Sequence, residues 1–83
     1  MLTKNDVKKE LDLANVAPVL TVRDASRILD KKRITIYSLI AKGLLVRAGA
    51  GVISRESLEN LMLAQPKYFT ALFAKNHPAT VEA

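Results

Sequence analysis

Apolar residues recur along the chain at spacings of three and four, interrupted by turn formers, and this rhythm predicts a chain of short helices. Val7, Leu11 and Leu13 form the first stripe, behind Thr3-Lys4-Asn5-Asp6, which offers an N-cap and an acid three residues later. A helix over about residues 4–14 is expected. Residues 15–20, NVAPVL, read as a linker, because Pro18 cannot sit in a helix interior and pushes Ala17 toward extended backbone.

Val22, Ala25, Ile28 and Leu29 make the second stripe, with Thr21 as N-cap and Asp24 in the first turn. Asp30-Lys31-Lys32 is a tight turn, after which Ile36, Leu39 and Ile40 form a third stripe stopped by Gly43. Two short helices joined in this way over residues 21–43 are the sequence form of a helix-turn-helix. Leu44–Arg47 reads as a strand, Ala48-Gly49-Ala50-Gly51 as a flexible turn and Val52-Ile53 as the returning strand, which predicts a β-hairpin, or wing. Ser54 caps a fourth helix with Leu58, Leu61 and Met62 on its inner face. After Pro66 the segment KYFTALFAKN is helical again, and it holds Tyr68, Phe69 and Phe73, three of the chain's four aromatics. These side chains and Leu72 either close the core or present a protein-docking face; residues 77–83 are expected to be disordered. The fold class expected is mainly α with a small β-hairpin, a winged helix-turn-helix. Its parts are an N-terminal helix and linker (1–19), the winged unit (20–65) and an aromatic C-terminal helix and tail (66–83).

Charge sharpens this picture. The chain has 83 residues and a formal charge of +5. Residues 1–20 and 56–83 contribute no positive excess. Between 21 and 55, Arg23, Arg27, Lys31, Lys32, Arg33, Lys42, Arg47 and Arg55 face only Asp24 and Asp30. A localised excess of this kind is the electrostatic footprint of a polyanion binder. The outward face of the third helix adds small polar groups, Thr35 and Ser38, flanked by Arg33, Ile34 and Tyr37, which suits contact with base edges and phosphates.

Other chemistry finds little footing. There is no cysteine for a disulfide or a zinc–thiolate site. No nucleophile–base pair, carboxylate dyad or metal-ligand spacing is visible, and AGAG lacks the lysine and the strand-loop-helix setting of a phosphate loop. His77, beside Pro78, reads as a solvated tail residue; Asp6, Glu10 and Asp12 read as helix-surface charges. No enzyme activity, cofactor or metal is expected. The apolar runs are too short to cross a bilayer, and the first residues carry charges where a signal peptide needs its apolar stretch. A soluble intracellular protein is the expectation.

The ordered set L-T-V-R-D-A-S-R-I-L, a short turn, T-I-Y-S-L-I-A-K-G-L-L, a hairpin and S-R-E-S-L-E-N-L resembles the excisionase-like, MerR-related winged-helix domains over about residues 20–63. The resemblance implies that residues 34–42 enter a DNA major groove while the hairpin 46–53 reaches a neighbouring minor groove or phosphate. By position, it implies base contact from Arg33, Ile34, Thr35 and Ser38. It implies phosphate contact from Arg23 and Arg27 and sets Arg47 at the basic start of the wing, with Ala48, Gly49, Ala50 and Gly51 as the wing tip; Lys32, Tyr37, Lys42 and Arg55 are further phosphate contacts expected from their own chemistry and place in the chain. Its implied partners are double-stranded DNA, an integrase or other recombinase, and neighbouring copies of itself on DNA, with no membrane. The implied role is that of an excisionase, or recombination directionality factor, in the cytoplasm of a bacterial or phage-infected cell, at the nucleoid. A small transcriptional regulator or repressor on the same fold is the alternative. A protein-interaction module that has lost DNA binding is the third reading. The chain departs from the family's usual pattern in three places. Asp30, Lys31 and Lys32 stand where a glycine, an apolar residue and a serine are common; Ile34 and Ser38 stand where basic residues are common; and the wing tip lacks arginine.

Overall fold

The computed structural model describes residues 1–78, and among these the chain forms five helices and three strands. They are α1 (Lys4–Leu13), β1 (Val19–Thr21), α2 (Val22–Leu29), α3 (Arg33–Ala41), β2 (Arg47–Gly49), β3 (Val52–Ser54), α4 (Arg55–Ala64) and α5 (Pro66–Asn76). The fold is mainly helical with a small antiparallel sheet in the order β1-β3-β2. Of the tail expected to be disordered, residues 79–83 lie outside the described residues.

Local chemistry sets the helix boundaries. Thr3 and Asp6 form a reciprocal capping box, in which Asp6 N–H donates to Thr3 Oγ1 at 3.2 Å and Thr3 N–H to Asp6 Oδ2 at 3.0 Å. These hydrogen bonds hold the Asp6 carboxyl below its ordinary pKa. Thr21 and Asp24 repeat the device at the start of α2. Ser54 Oγ accepts from Ser57 N–H at 3.1 Å at the start of α4, and Pro66 fills the first position of α5, where its missing N–H costs nothing.

Three helices end alike. Asn15, Asp30 and Gly43 take left-handed backbone, with φ of 58°, 56° and 79°. The next N–H then reaches back five residues: Val16 to Leu11, Lys31 to Ser26 and Leu44 to Leu39, at 3.1, 3.0 and 2.9 Å. This closure satisfies carbonyls that each helix would otherwise leave bare. Asparagine, aspartate and glycine are the residues that enter the left-handed region most readily.

Two strand expectations change. The linker 15–20 contains β1, whose Val19, Leu20 and Thr21 pair with Ser54, Ile53 and Val52. Three residues are too few for a visible alternation of polar and apolar positions, so the sequence carried no strand signal there. The hairpin is also displaced. Leu44 and Leu45 belong to the turn that leaves α3, with Leu45 buried, and β2 begins only at Arg47. The tight turn is Ala50-Gly51, and pairing of Arg47 with Ile53 and of Gly49 with Val52 places an irregularity between them.

One apolar core joins all the helices. It contains Val7 and Leu11 of α1, Ala25, Ile28 and Leu29 of α2, Ile36 and Leu39 of α3, Leu58, Leu61 and Met62 of α4, and Leu20 and Ile53 of the sheet. Tyr68 and Leu72 of α5 complete it, 5% and 2% exposed. Helix α5 packs on α1, α2 and α4.

Two polar clusters tie the outer segments to this core. Glu10 is buried on α1, accepts from Asn76 Nδ2 at 3.0 Å, and lies 2.9 Å from His77 Nε2; the His77 ring stacks on Phe73. Glu10 is therefore not a surface charge, nor is His77 a solvated tail residue. A stripe-based reading of α1 misses Glu10 because its partners lie more than sixty positions away. The second cluster centres on Arg55. Its Nε donates to Glu59 Oε2 at 3.1 Å, Nη1 to Val16 O at 2.8 Å, and Nη2 to Asp12 Oδ1 at 2.7 Å and Lys8 O at 3.2 Å. Burial works against the guanidinium charge, but the hydrogen bonds and charges of Asp12 and Glu59 outweigh it and hold the Arg55 pKa above its ordinary value.

Candidate nucleic-acid interface

The face of the molecule built by α2, α3 and the β2–β3 turn brings Arg23 and Arg33 together. Its centre is a shallow groove lined by Thr21, Val22, Arg23, Arg33, Tyr37 and Gly51. The starts of α2 and α3 and the tip of the hairpin thus meet on one surface, with two arginines and no acid on its walls. The tight Asp30-Lys31-Lys32 turn makes this possible. Asp30 reverses the chain, Ser26 Oγ donates to the Lys31 carbonyl, and α3 begins at Arg33 with its buried stripe against α2.

The N-terminus of α3 differs from those of α1, α2 and α4. Its N-cap is Lys32, which makes no side-chain capping bond, and its first turn holds no acid. The N–H groups and the positive end of the helix dipole are left without an internal anion and have two cations beside them. Such a terminus is electrostatically suited to an anionic oxygen.

Successive residues on α3 are about 100° apart around the axis, so its faces can be assigned. Ile36 and Leu39 are buried, Thr35 and Ile40 are half-buried at the margins of that stripe, and Ile34 and Ala41 lie opposite it. Tyr37 and Ser38 flank this outward centre, with Arg33 and Lys42 at its two edges, all exposed. Of the residues expected to contact bases, Arg33, Ile34 and Ser38 therefore project outward. Thr35 is turned partly toward the protein.

The cations fare differently. Arg23, Lys31, Lys32, Arg33, Lys42 and Arg47 are exposed and, among the described residues, join no ion pair. Arg27 is exposed and makes a loose 3.4 Å pair with Asp24. Its carbonyl accepts from Lys75 Nζ. Arg55 does not belong to this surface. Its side chain is only 16% exposed and is spent on Asp12, Glu59 and two carbonyls, so the phosphate contact expected of it is corrected to a role in holding α1 and α4 together. Its place directly after the hairpin pointed to the basic face; the first turn of α4 directs it inward instead.

Ala48, Gly49, Ala50 and Gly51, the residues expected at the wing tip, are all exposed. Gly51, at φ 72°, supplies the left-handed backbone that the turn needs. Gly49 has little room for a side chain, since a Cβ there would meet Val52 Cγ2 at 3.3 Å.

The expected protein-docking set divides. Tyr68 and Leu72 are core residues and unavailable to a partner, a correction that follows from the need to cover α1 and α4. Phe69 is half-buried against the same core, while Phe73 is 39% exposed. Sequence reasoning missed the uncapped start of α3 as a feature, although the run Lys31-Lys32-Arg33 ahead of an apolar stripe shows it: no serine, threonine, asparagine or aspartate stands at the cap.

No helix among the described residues is long and apolar enough to cross a membrane. Comparison with protein-family models, with curated proteins and with solved structures gave no match.

Proposed function

We propose that the protein binds double-stranded DNA as a winged helix-turn-helix unit, with α3 in the major groove and the β2–β3 hairpin against the adjacent backbone. The observation that carries this reading is the groove between α2, α3 and the hairpin turn, walled by Arg23 and Arg33, with the exposed cations Lys32, Lys42 and Arg47 on or beside the elements that build it. In this reading Arg23, Lys32, Arg33, Lys42 and Arg47 hold phosphates, assisted by Arg27 and the Tyr37 hydroxyl, and fix the register of α3. The outward residues of α3 then meet base edges. The hairpin contributes Arg47 and backbone N–H groups, since its tip has no long side chain.

The resemblance of residues 20–63 to excisionases extends the proposal to biology. Several copies on adjacent sites, beside a recombinase in the cytoplasm, would direct excision by multivalent binding. Of Tyr68, Phe69, Leu72 and Phe73, Phe73 is the most exposed and is the candidate for contacts between proteins.

The test is a fluorescence-anisotropy titration with labelled duplex DNA at increasing salt. Five or six phosphate contacts give a slope of log affinity against log salt of roughly −5. Arg33→Ala should weaken binding to every duplex and reduce the magnitude of that slope by about 1. No binding at low salt would reject the reading. Footprinting then separates roles: direct or irregular repeats beside a recombination site fit an excisionase, whereas a palindrome with half-sites about one helical turn apart fits a dimeric regulator.

A further inference from the structure

The most outward residue of α3 is an aliphatic one. Ile34 is 75% exposed, more than any other large apolar side chain described apart from Met1 at the chain terminus. It lies opposite the buried Ile36–Leu39 stripe, and Ala41 shares its line. Tyr37, 50% exposed, and Ser38 flank it, and Arg33 and Lys42 close the two edges. The face thus runs from a cationic edge through an apolar centre to a second cationic edge. The fold does not account for Ile34, because the helix is already anchored on its other side. β-Branched residues also gain nothing from a helix position in water.

An apolar centre inside a cationic rim matches one feature of a polyanion. The major groove of DNA is lined by phosphates at its edges, and the 5-methyl group of thymine is the apolar feature that its floor presents. Resting on the proposed DNA reading, we propose that Ile34 is a specificity-determining residue that reads a pyrimidine 5-methyl group in the major groove. Ser38, one turn further along the same face, is then placed to hydrogen-bond the neighbouring base edge. Arg33 and Lys42 keep the helix seated by holding phosphates on either side. The cationic rim favours this occupant over an apolar partner protein, which would have to desolvate both charges.

The experiment separates the methyl from everything else on the base. A preferred duplex is first selected from a randomised pool with the full-length protein. It is then synthesised with deoxyuridine in place of each thymidine in turn, which removes the methyl and leaves pairing unchanged. The expected result is one or two positions at which uridine weakens wild-type binding by roughly fourfold, the worth of one buried apolar carbon. Ile34→Ala should bind thymidine and uridine duplexes alike. Because the Ile34 side chain is largely exposed, the variant should keep the wild-type circular dichroism; the wild-type comparison stands without it in any case. With a cytosine–guanine pair placed at the same step, methylating the cytosine at C5 should strengthen wild-type binding by a similar factor, and no gain there would overturn the reading of a pyrimidine 5-methyl group. Equal affinity of the wild-type protein for thymidine and uridine duplexes would overturn the methyl assignment while leaving DNA binding intact. Failure to bind any duplex at low salt would overturn both, and would leave the Ile34 face to a protein partner.

Discussion

At the scale of single residues, the chain's arginines show how little a basic side chain says without its surroundings. Arg33 and Arg55 each open a helix, yet one is exposed and the other anchors the interior. What distinguishes them is the carboxylates within reach, and these come from α1 and from one turn further along α4. Glu59 is buried, with a side chain 7% exposed, so loss of Arg55 would strand a carboxylate away from water. Arg55→Ala should therefore destabilise the fold by about 3 kcal/mol, the usual range for one partner removed from a buried pair. Urea denaturation followed by circular dichroism measures this. Adding Glu59→Gln should recover part of the loss, because a neutral amide tolerates that site better than an orphaned anion. Among molecules that remain folded, affinity for DNA should be unchanged. A selective loss of DNA binding with full stability would return Arg55 to the basic face.

At the scale of elements, helix boundaries were the most legible feature. Thr3 with Asp6, Thr21 with Asp24, Asp30 in the left-handed turn and Gly43 at the end of α3 could all be read from residue type and spacing, since each acts within four or five positions. Strands were less legible. β1 is held by β3, more than thirty residues away, and nothing local marks it. The hairpin was found but placed early, because Leu44 and Leu45 look like strand residues and are instead the closing turn of α3, where Leu45 enters the core. The Asp30 turn offers a direct test at this scale. Its φ of 56° is tolerated by aspartate and preferred by glycine. Asp30→Gly should stabilise the protein by roughly 0.5 kcal/mol, read as a higher urea midpoint at unchanged slope. It also removes one of the two acids between residues 21 and 55, so DNA affinity should rise slightly, and more at low salt than at high. A fall in stability would mean that the Asp30 side chain makes a contact that the backbone argument omits.

At the scale of the whole molecule, the basic unit and its two flanks turn out to share one core. Reading the chain as a flank, a winged unit and a second flank followed from where charge and resemblance end, and neither property reports burial. The charge of the candidate surface was legible in the sequence because charge is a local property, and Arg23, Lys32, Arg33, Lys42 and Arg47 are all exposed. What holds that surface in shape was not visible, because it depends on contacts of the end of α5 and the residue after it with distant helices: Lys75 to the Arg27 carbonyl of α2, and Asn76 and His77 to Glu10 of α1. Tyr68 and Leu72 are each worth about 2 kcal/mol of burial, and removing α5 also bares the faces of α1 and α4 beneath it. A domain of this size has only roughly 4–12 kcal/mol of net stability. Residues 20–65 alone should therefore show no cooperative thermal transition and no DNA binding, although α5 contributes no side chain to the basic groove. Residues 1–78 should retain both. Circular dichroism melting and the anisotropy titration on the two fragments check this. A folded, DNA-binding 20–65 fragment would mean that the outer helices belong to a separate function. Joint loss of fold and binding would mean that the basic face owes its geometry to helices that never touch DNA.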